Sequence, residues 1–161
     1  MELRETSAGQ REVVLHPGAV AVLLRDSLSR VLLVRQHREG PGFPLWEIPA
    51  GVLEGGERPL AAAQRELSEE TSLTARRWRY LGMVYSTSGY SAERTYLLLA
   101  EEPSGEPAAR SEVDGVGFFS TEDIHLWARI GRRDAKTLAA LALAGQSGSP
   151  PSSQRGNPGH T

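Results

Sequence analysis

Apolar runs separated by glycine, proline and short polar residues organise most of this chain. The first ten residues are polar and read as a short arm. Over residues 12–24 valine, leucine and alanine dominate, broken by His16-Pro17-Gly18, which predicts a short strand, a turn and a strand over 19–24. A polar turn at 25–29 leads to a second apolar run at 30–35, and two such runs about a short turn predict a hairpin. The segment 40–44 is a glycine-proline loop, followed by a short strand over 45–48.

After Pro49-Ala50-Gly51 and the turn Gly55-Gly56, residues 59–70 read as a helix. Pro59 suits its first turn, and Leu60, Ala63 and Leu67 fall at helical spacing as the expected apolar stripe. Strands follow over 79–86 and 94–100, separated by the loop 87–93. A Pro/Gly/Glu loop spans 101–111, and 115–119 reads as a short strand. Thr121-Glu122-Asp123 is expected to cap a helix carrying Ile124 and Trp127, and an Ala/Leu-rich helix closes the pattern over 134–144. Strands, an inserted helix, more strands and then helices describe an α/β fold of α+β type, a mixed sheet covered by helices. The expected organisation is an arm over 1–11, one domain over 12–144 and a disordered Gly/Ser/Pro tail over 145–161.

Composition narrows the chemistry. A chain of 161 residues has the size of one ordinary domain. A net charge of -2 gives no general attraction to nucleic acid or acidic membranes, so neither is expected as a partner. With no cysteine, disulfides, thiolate metal sites and a cysteine nucleophile are excluded, and any metal must be held by oxygen or imidazole ligands. His16, His37 and His125 are scattered and His160 lies in the tail, so a histidine metal site is not expected. The first residues lack an apolar core of signal-peptide length and no run approaches membrane-spanning length, which makes the cytoplasm the expected compartment.

The informative segment is the helix containing Arg65-Glu66-Leu67-Ser68-Glu69-Glu70. Glu66, Glu69 and Glu70 stand at i, i+3 and i+4 and so share one face. Carboxylates this close repel one another unless positive charge sits among them. Magnesium or manganese, hard cations that take oxygen ligands, suits that place. A bare Glu-x-x-Glu-Glu is more often a solvated face. The surroundings reverse that reading: a glycine turn precedes the helix, a backbone carbonyl there can supply another hard ligand, and Glu57 can pair with Arg65 to fix the loop against the helix.

Gly51-x5-Glu57-x7-Arg65-Glu66-Leu67-x-Glu69-Glu70-x-Ser72-Leu73 resembles the Nudix box. Six fixed glycine or polar positions match. At roughly one in fifteen per position, a chance match is about one in ten million per window. The resemblance implies the Nudix fold, a mixed sheet sandwiched between helices, and metal-dependent cleavage of a phosphoanhydride. Ser72 stands where the family has glycine. That glycine would end the helix in a left-handed conformation, which serine adopts at a cost of about 1–2 kcal/mol. The departure bears on helix-end geometry, and it keeps a non-catalytic ligand-binding sensor in view as an alternative.

Further segments, at 11–22, 33–38, 45–51 and 131–141, are similar in order and spacing to ADP-ribose pyrophosphatases, so the resemblance covers roughly residues 11–144. It implies that Glu66 and Glu70, with the Ala50 carbonyl, bind the principal Mg2+ or Mn2+, and that Glu69 holds a second ion or positions water. Gly51, Glu57 and Arg65 form the frame of the box, with Arg65 also counted in the catalytic group. Glu112 is the counterpart of the general base, and Glu69 is the competing base. Arg38 resembles a diphosphate-contacting arginine, since a guanidinium matches phosphate geometry. Gly51, Glu93 and Tyr90, a stacking candidate on a glycine loop, complete the expected substrate contacts, while Trp46 is expected in the core. The implied reaction is hydrolysis of a nucleoside diphosphate linked to another moiety, ADP-ribose to AMP and ribose 5-phosphate, by a homodimer. A nucleotide sugar, a dinucleotide or a nucleoside triphosphate is the alternative substrate. Two features depart from that branch: Ser88 occupies the position of a loop proline, and only about a dozen residues stand where the family has an N-terminal module of several strands.

Overall fold

The computed structural model describes residues 1–6, 9–129, 131 and 134–145. In chain order the elements are β1 (Glu2–Thr6), β2 (Gly9–Val13), β3 (Ala19–Arg25), β4 (Val31–Arg38), β5 (Phe43–Glu47), β6 (Ala50–Val52), α1 (Pro59–Thr71), β7 (Thr74–Tyr85), β8 (Arg94–Ser104), β9 (Gly115–Phe119), α2 (Thr121–Arg129) and α3 (Ala135–Gly145). The main sheet is mixed. β3 and β8 run parallel at its centre, β7 closes one side antiparallel to β8, and β4 pairs antiparallel with both β5 and β9.

Alternation along β3 builds two cores from one strand, because successive side chains point to opposite faces. Ala21 and Leu23 meet Ile124 of α2 and Ala140, Leu141 and Ala144 of α3. Val20, Val22 and Leu24 meet Ala62, Ala63 and Leu67 of α1. β8 divides in the same way, with Leu97 and Leu99 on the first face and Leu98 and Ala100 on the second. A strand covered on both faces has no solvent side, which is why β3 is apolar without a break. The sheet is therefore sandwiched between α1 and the α2–α3 pair, the expected architecture.

Several local expectations need correction. The polar arm is paired: β1 and β2 form a separate antiparallel ladder, exposed over residues 2–5 and 9–12, held by backbone bonds that leave no apolar pattern. The expected β3–β4 hairpin has a single registered pair, Arg25 with Val31, because β3 instead takes β8 and the short strand β6 as neighbours. β6 itself falls at Ala50–Val52, where the sequence predicts no element. Leu60 is 45% exposed, and Ala62, Ala63 and Leu67 form the buried face of α1. β7 begins at Thr74, five residues earlier than expected, and β8 continues through Ser104 into the presumed loop. Ser120, rather than the Thr-Glu-Asp run, caps α2 by accepting the Asp123 N–H at 3.1 Å. Asp134 precedes α3 and accepts the N–H of Lys136 at 2.9 Å. The tail expected to be disordered lies outside the described residues, apart from Gly145.

Ser72 ends α1 with φ 61° and ψ 12°, the left-handed conformation in which the family places glycine, and its N–H still donates to Ser68 O at 2.9 Å. Its hydroxyl is shut from solvent with no hydrogen-bond partner among the described residues. Ser72→Gly removes both the φ penalty and the unsatisfied hydroxyl, partly offset by the greater freedom of glycine in the unfolded chain. The substitution is expected to stabilise the fold by about 1 kcal/mol, read as a higher urea midpoint at unchanged slope. A lower midpoint would show that the hydroxyl contributes to the native state.

Candidate active site

The site is built where α1 crosses the short strand β6. A Cβ added at Gly51 would lie 1.9 Å from the Glu66 carboxyl carbon and 1.9 Å from its Oε1. Only glycine leaves room there for the carboxylate. One turn further along α1, Glu70 is 7% exposed, and its Oε2 accepts the Ala50 N–H at 3.2 Å. Burial, and then repulsion from the Glu66 charge, push the Glu70 carboxyl up to about 8. Burial also raises Glu66, against the opposing pull of Arg65. Glu69 is the exposed member of the trio.

Arg65 ties this helix face to the preceding loop. Its Nε and Nη2 donate to the two oxygens of Glu57 at 3.1 and 2.9 Å, a bidentate clasp. Nη2 also reaches Val52 O at 3.2 Å, while Nη1 reaches Glu66 Oε1 at 2.7 Å and Glu69 Oε2 at 3.2 Å. The clasp to Glu57 lowers that carboxyl below its ordinary range. Arg65 thus contacts every acidic group of the loop–helix frame except the buried Glu70.

The donor set suits a hard divalent cation. Glu66, Glu70 and the adjacent Ala50 backbone are oxygen-rich, and a carboxylate raised by burial beside another carboxylate is short of positive charge. Among the described residues no three acidic or imidazole groups already converge as a metal cage, since Glu66 and Glu69 are held by Arg65. Binding therefore requires these carboxylates to exchange part of their bonding to Arg65 for the ion.

Across the cleft from α1 stand Gln36, Arg38, Ser111 and Glu112, enclosing with Ala50, Gly51, Val52 and the three glutamates a cavity of about 340 Å3. Glu112 accepts the Gln36 amide at 3.1 Å. Its loop is fastened to the end of α1: Ala108 N–H donates to Thr71 O at 2.9 Å, Arg110 N–H to Glu70 O at 3.1 Å and the Ser111 hydroxyl to Glu69 O at 3.4 Å. The last carbonyls of a helix lack partners within it. Here they anchor the segment that brings Glu112 opposite the acidic helix.

Tyr90 and Glu93 do not join that cavity. With Arg38, Glu47, Asp134 and Lys136 they line a second one of about 530 Å3, and Arg38 borders both. Tyr90 is 59% exposed. Arg38 is anchored by Nε to Glu47 at 2.6 Å, and Glu47, 1% exposed, also receives Lys136 at 3.2 Å. Sequence reasoning passed over Glu47, Lys136 and Gln36. Only Glu47, a charge ending the otherwise apolar strand β5, carried an available signal; Gln36 stands in the polar run 35–38 of β4 and Lys136 in α3. Trp46 packs edge-on against Phe119, 4.9 Å between ring centroids, as a core residue. No helix among the described residues is long and apolar enough to cross a membrane.

A family model described as the NUDIX domain matches residues 15–141. An ADP-ribose pyrophosphatase of Bacillus subtilis (strain 168) is 42% identical over 104 residues, covering 65% of this chain and 56% of that protein. An ADP-ribose pyrophosphatase of Mycobacterium tuberculosis (strain ATCC 25618 / H37Rv) is 42% identical over 105 residues, covering 63% and 51%. The chain thus spans about half the length of the curated relatives it matches. A solved structure from work on MutT of Aliivibrio salmonicida and Vibrio cholerae superposes with a TM-score of 0.62 at 20% identity, covering 80% of this chain and 97% of that one, a likeness of fold. Because the matched span takes in the strands of the main sheet, α1, α2 and the first part of α3 as well as the box, the likeness extends well beyond the motif, and the chain belongs to the Nudix family.

Proposed function

We propose that this chain is a divalent-metal-dependent hydrolase of nucleoside diphosphates linked to a second moiety, with ADP-ribose as substrate and AMP and ribose 5-phosphate as products. The observation that carries the reading is the single cleft in which Glu66, Glu69 and Glu70 face Arg38 and Glu112. Glu66 and Glu70, with the Ala50 carbonyl, would hold Mg2+ or Mn2+, and Glu69 would hold a second ion or orient water. Bound there, the metal would neutralise the diphosphate and stabilise the charge of in-line displacement.

The chain's own groups do the rest. Glu112 takes the proton of the attacking water, whose oxygen bonds to phosphorus as the bridging oxygen leaves with the other phosphate. Arg38, fixed by Glu47, holds diphosphate oxygens where the two cavities meet. Tyr90 and Glu93 contact the part of the substrate that extends into the second cavity. Arg65 keeps Glu57, Glu66 and Glu69 in register. The resemblance also supports a homodimer and a cytoplasmic location.

Incubation with magnesium and a panel of ADP-ribose, nucleotide sugars, dinucleotides and nucleoside triphosphates, with products separated by chromatography, tests the reading. ADP-ribose is expected to be turned over fastest, giving AMP and ribose 5-phosphate. Faster turnover of another panel member would reassign the substrate, which Ser88 at the branch's proline position makes the specific alternative. Inertness to the whole panel with either metal would remove the enzymatic reading in favour of a ligand-binding sensor.

A further inference from the structure

Gln36 is the buried polar side chain of the cleft that the proposed chemistry leaves without a task. It is 7% exposed on β4, two residues from Arg38, and both line the cavity bounded by α1. Its amide nitrogen donates to Glu112 Oε2 at 3.1 Å, a bond between residues 76 apart in sequence. Glu112 itself lies on an exposed loop pinned through its neighbours, the nearest bond being that of the Ser111 hydroxyl to Glu69 O at 3.4 Å. Asp114 N–H donates to Arg35 O at 2.9 Å on one side of it, and Arg110 N–H to Glu70 O at 3.1 Å on the other. Those bonds place the loop but leave the side-chain torsions of Glu112 free. A carboxylate on a loop can be aimed only by a partner on a rigid element, and the centre of a paired strand is such an element.

We propose that Gln36 is a positioning residue that aims the Glu112 carboxylate into the cleft, so that its free oxygen meets the attacking water. The inference rests on the reading of Glu112 as general base. The amide donates its hydrogen bond to Oε2 and leaves the second oxygen to accept from the water. The bond also explains a buried amide in β4, since a buried polar group needs a partner and a carboxylate is a strong one. The same bond fixes which oxygen of Glu112 is committed, which the loop's backbone bonds cannot do.

The test is a double-mutant cycle on the full chain, with ADP-ribose and magnesium or the best substrate of the panel. Gln36→Met, close in volume but without the donor, is expected to lower kcat roughly 10- to 100-fold with little change in KM. Glu112→Ala is expected to lower kcat by about 100-fold or more. The double variant should then match Glu112→Ala alone, because Gln36 acts only through that carboxylate. Losses that multiply would show that Gln36 acts elsewhere, and an unchanged kcat in Gln36→Met would overturn the inference while leaving Glu112 in its role. Wild-type kcat in Glu112→Ala would remove the general-base reading itself. A second measurement needs no change at Gln36: its side-chain amide signal in 15N-labelled protein should shift in Glu112→Ala, and a stationary signal would count against the bond.

Discussion

Glu70→Gln is expected to reduce magnesium-dependent turnover by about a thousandfold while leaving the fold at least as stable as wild type. The two carboxyl-derived groups are the same size, and the glutamine carbonyl oxygen can still accept the Ala50 N–H that Glu70 now takes at 3.2 Å. The substitution removes the charge alone. That charge is costly in the metal-free protein, since burial and the neighbouring Glu66 carboxylate both oppose ionisation and hold the group up to about 8. A neutral amide avoids that cost. With metal at the proposed site the balance would reverse, because a hard cation would lose one of its anionic ligands. Several kcal/mol of charge stabilisation is what such an ion supplies, and about 4 kcal/mol corresponds to a factor of a thousand in rate. Magnesium should raise the melting temperature of the wild type and not of the variant. Near-wild-type turnover in the variant would exclude Glu70 as a metal ligand.

Gly51→Ala should separate activity from stability just as sharply. The added methyl would sit 1.9 Å from the Glu66 carboxyl carbon and 2.4 Å from its second oxygen, so it cannot coexist with the present carboxylate position. The atoms in its way are the far end of a flexible side chain, not backbone. The fold can therefore accommodate the change by swinging Glu66 aside, which breaks its 2.7 Å bond to Arg65 but leaves β6 paired to β3. A displacement of about 1 Å in a catalytic group can cost on the order of a hundredfold in rate. The expected result is at least that loss in kcat/KM, weaker magnesium binding and a melting temperature changed by only a few degrees, as about 1 kcal/mol would give. A variant that melts far below wild type would show that Gly51 serves the backbone rather than the carboxylate.

The two substitutions probe different kinds of legibility. Gly51, Glu57, Arg65 and the glutamate trio lie within twenty residues on one short strand, one turn and one helix, where spacing along the chain fixes spacing in space. Their association, and the left-handed end of α1 at Ser72, could be read before any fold was known. The buried strands were equally legible, because a strand covered on both faces must be apolar throughout. Less could be read where backbone bonding alone decides. The β1–β2 ladder carries no apolar alternation, and β6 is three residues long. Leu60 fits the helical period yet faces solvent, since the period does not say how far a neighbouring strand reaches.

What the sequence determined by itself is the acidic helix, its glycine and the family these belong to, since local geometry fixes all of them. The resemblance named Glu112 and Arg38, and the tertiary structure alone decided how they come to stand opposite that helix. Glu112 meets the helix because the last carbonyls of α1 hold the 105–112 loop, and Gln36 meets Glu112 because β4 pairs with β9. Arg38 is held at the junction of two cavities by Glu47 and, through it, by Lys136 from the far end of the chain. Such contacts join residues tens of positions apart through sheet pairing and helix ends. No periodicity along a chain encodes them.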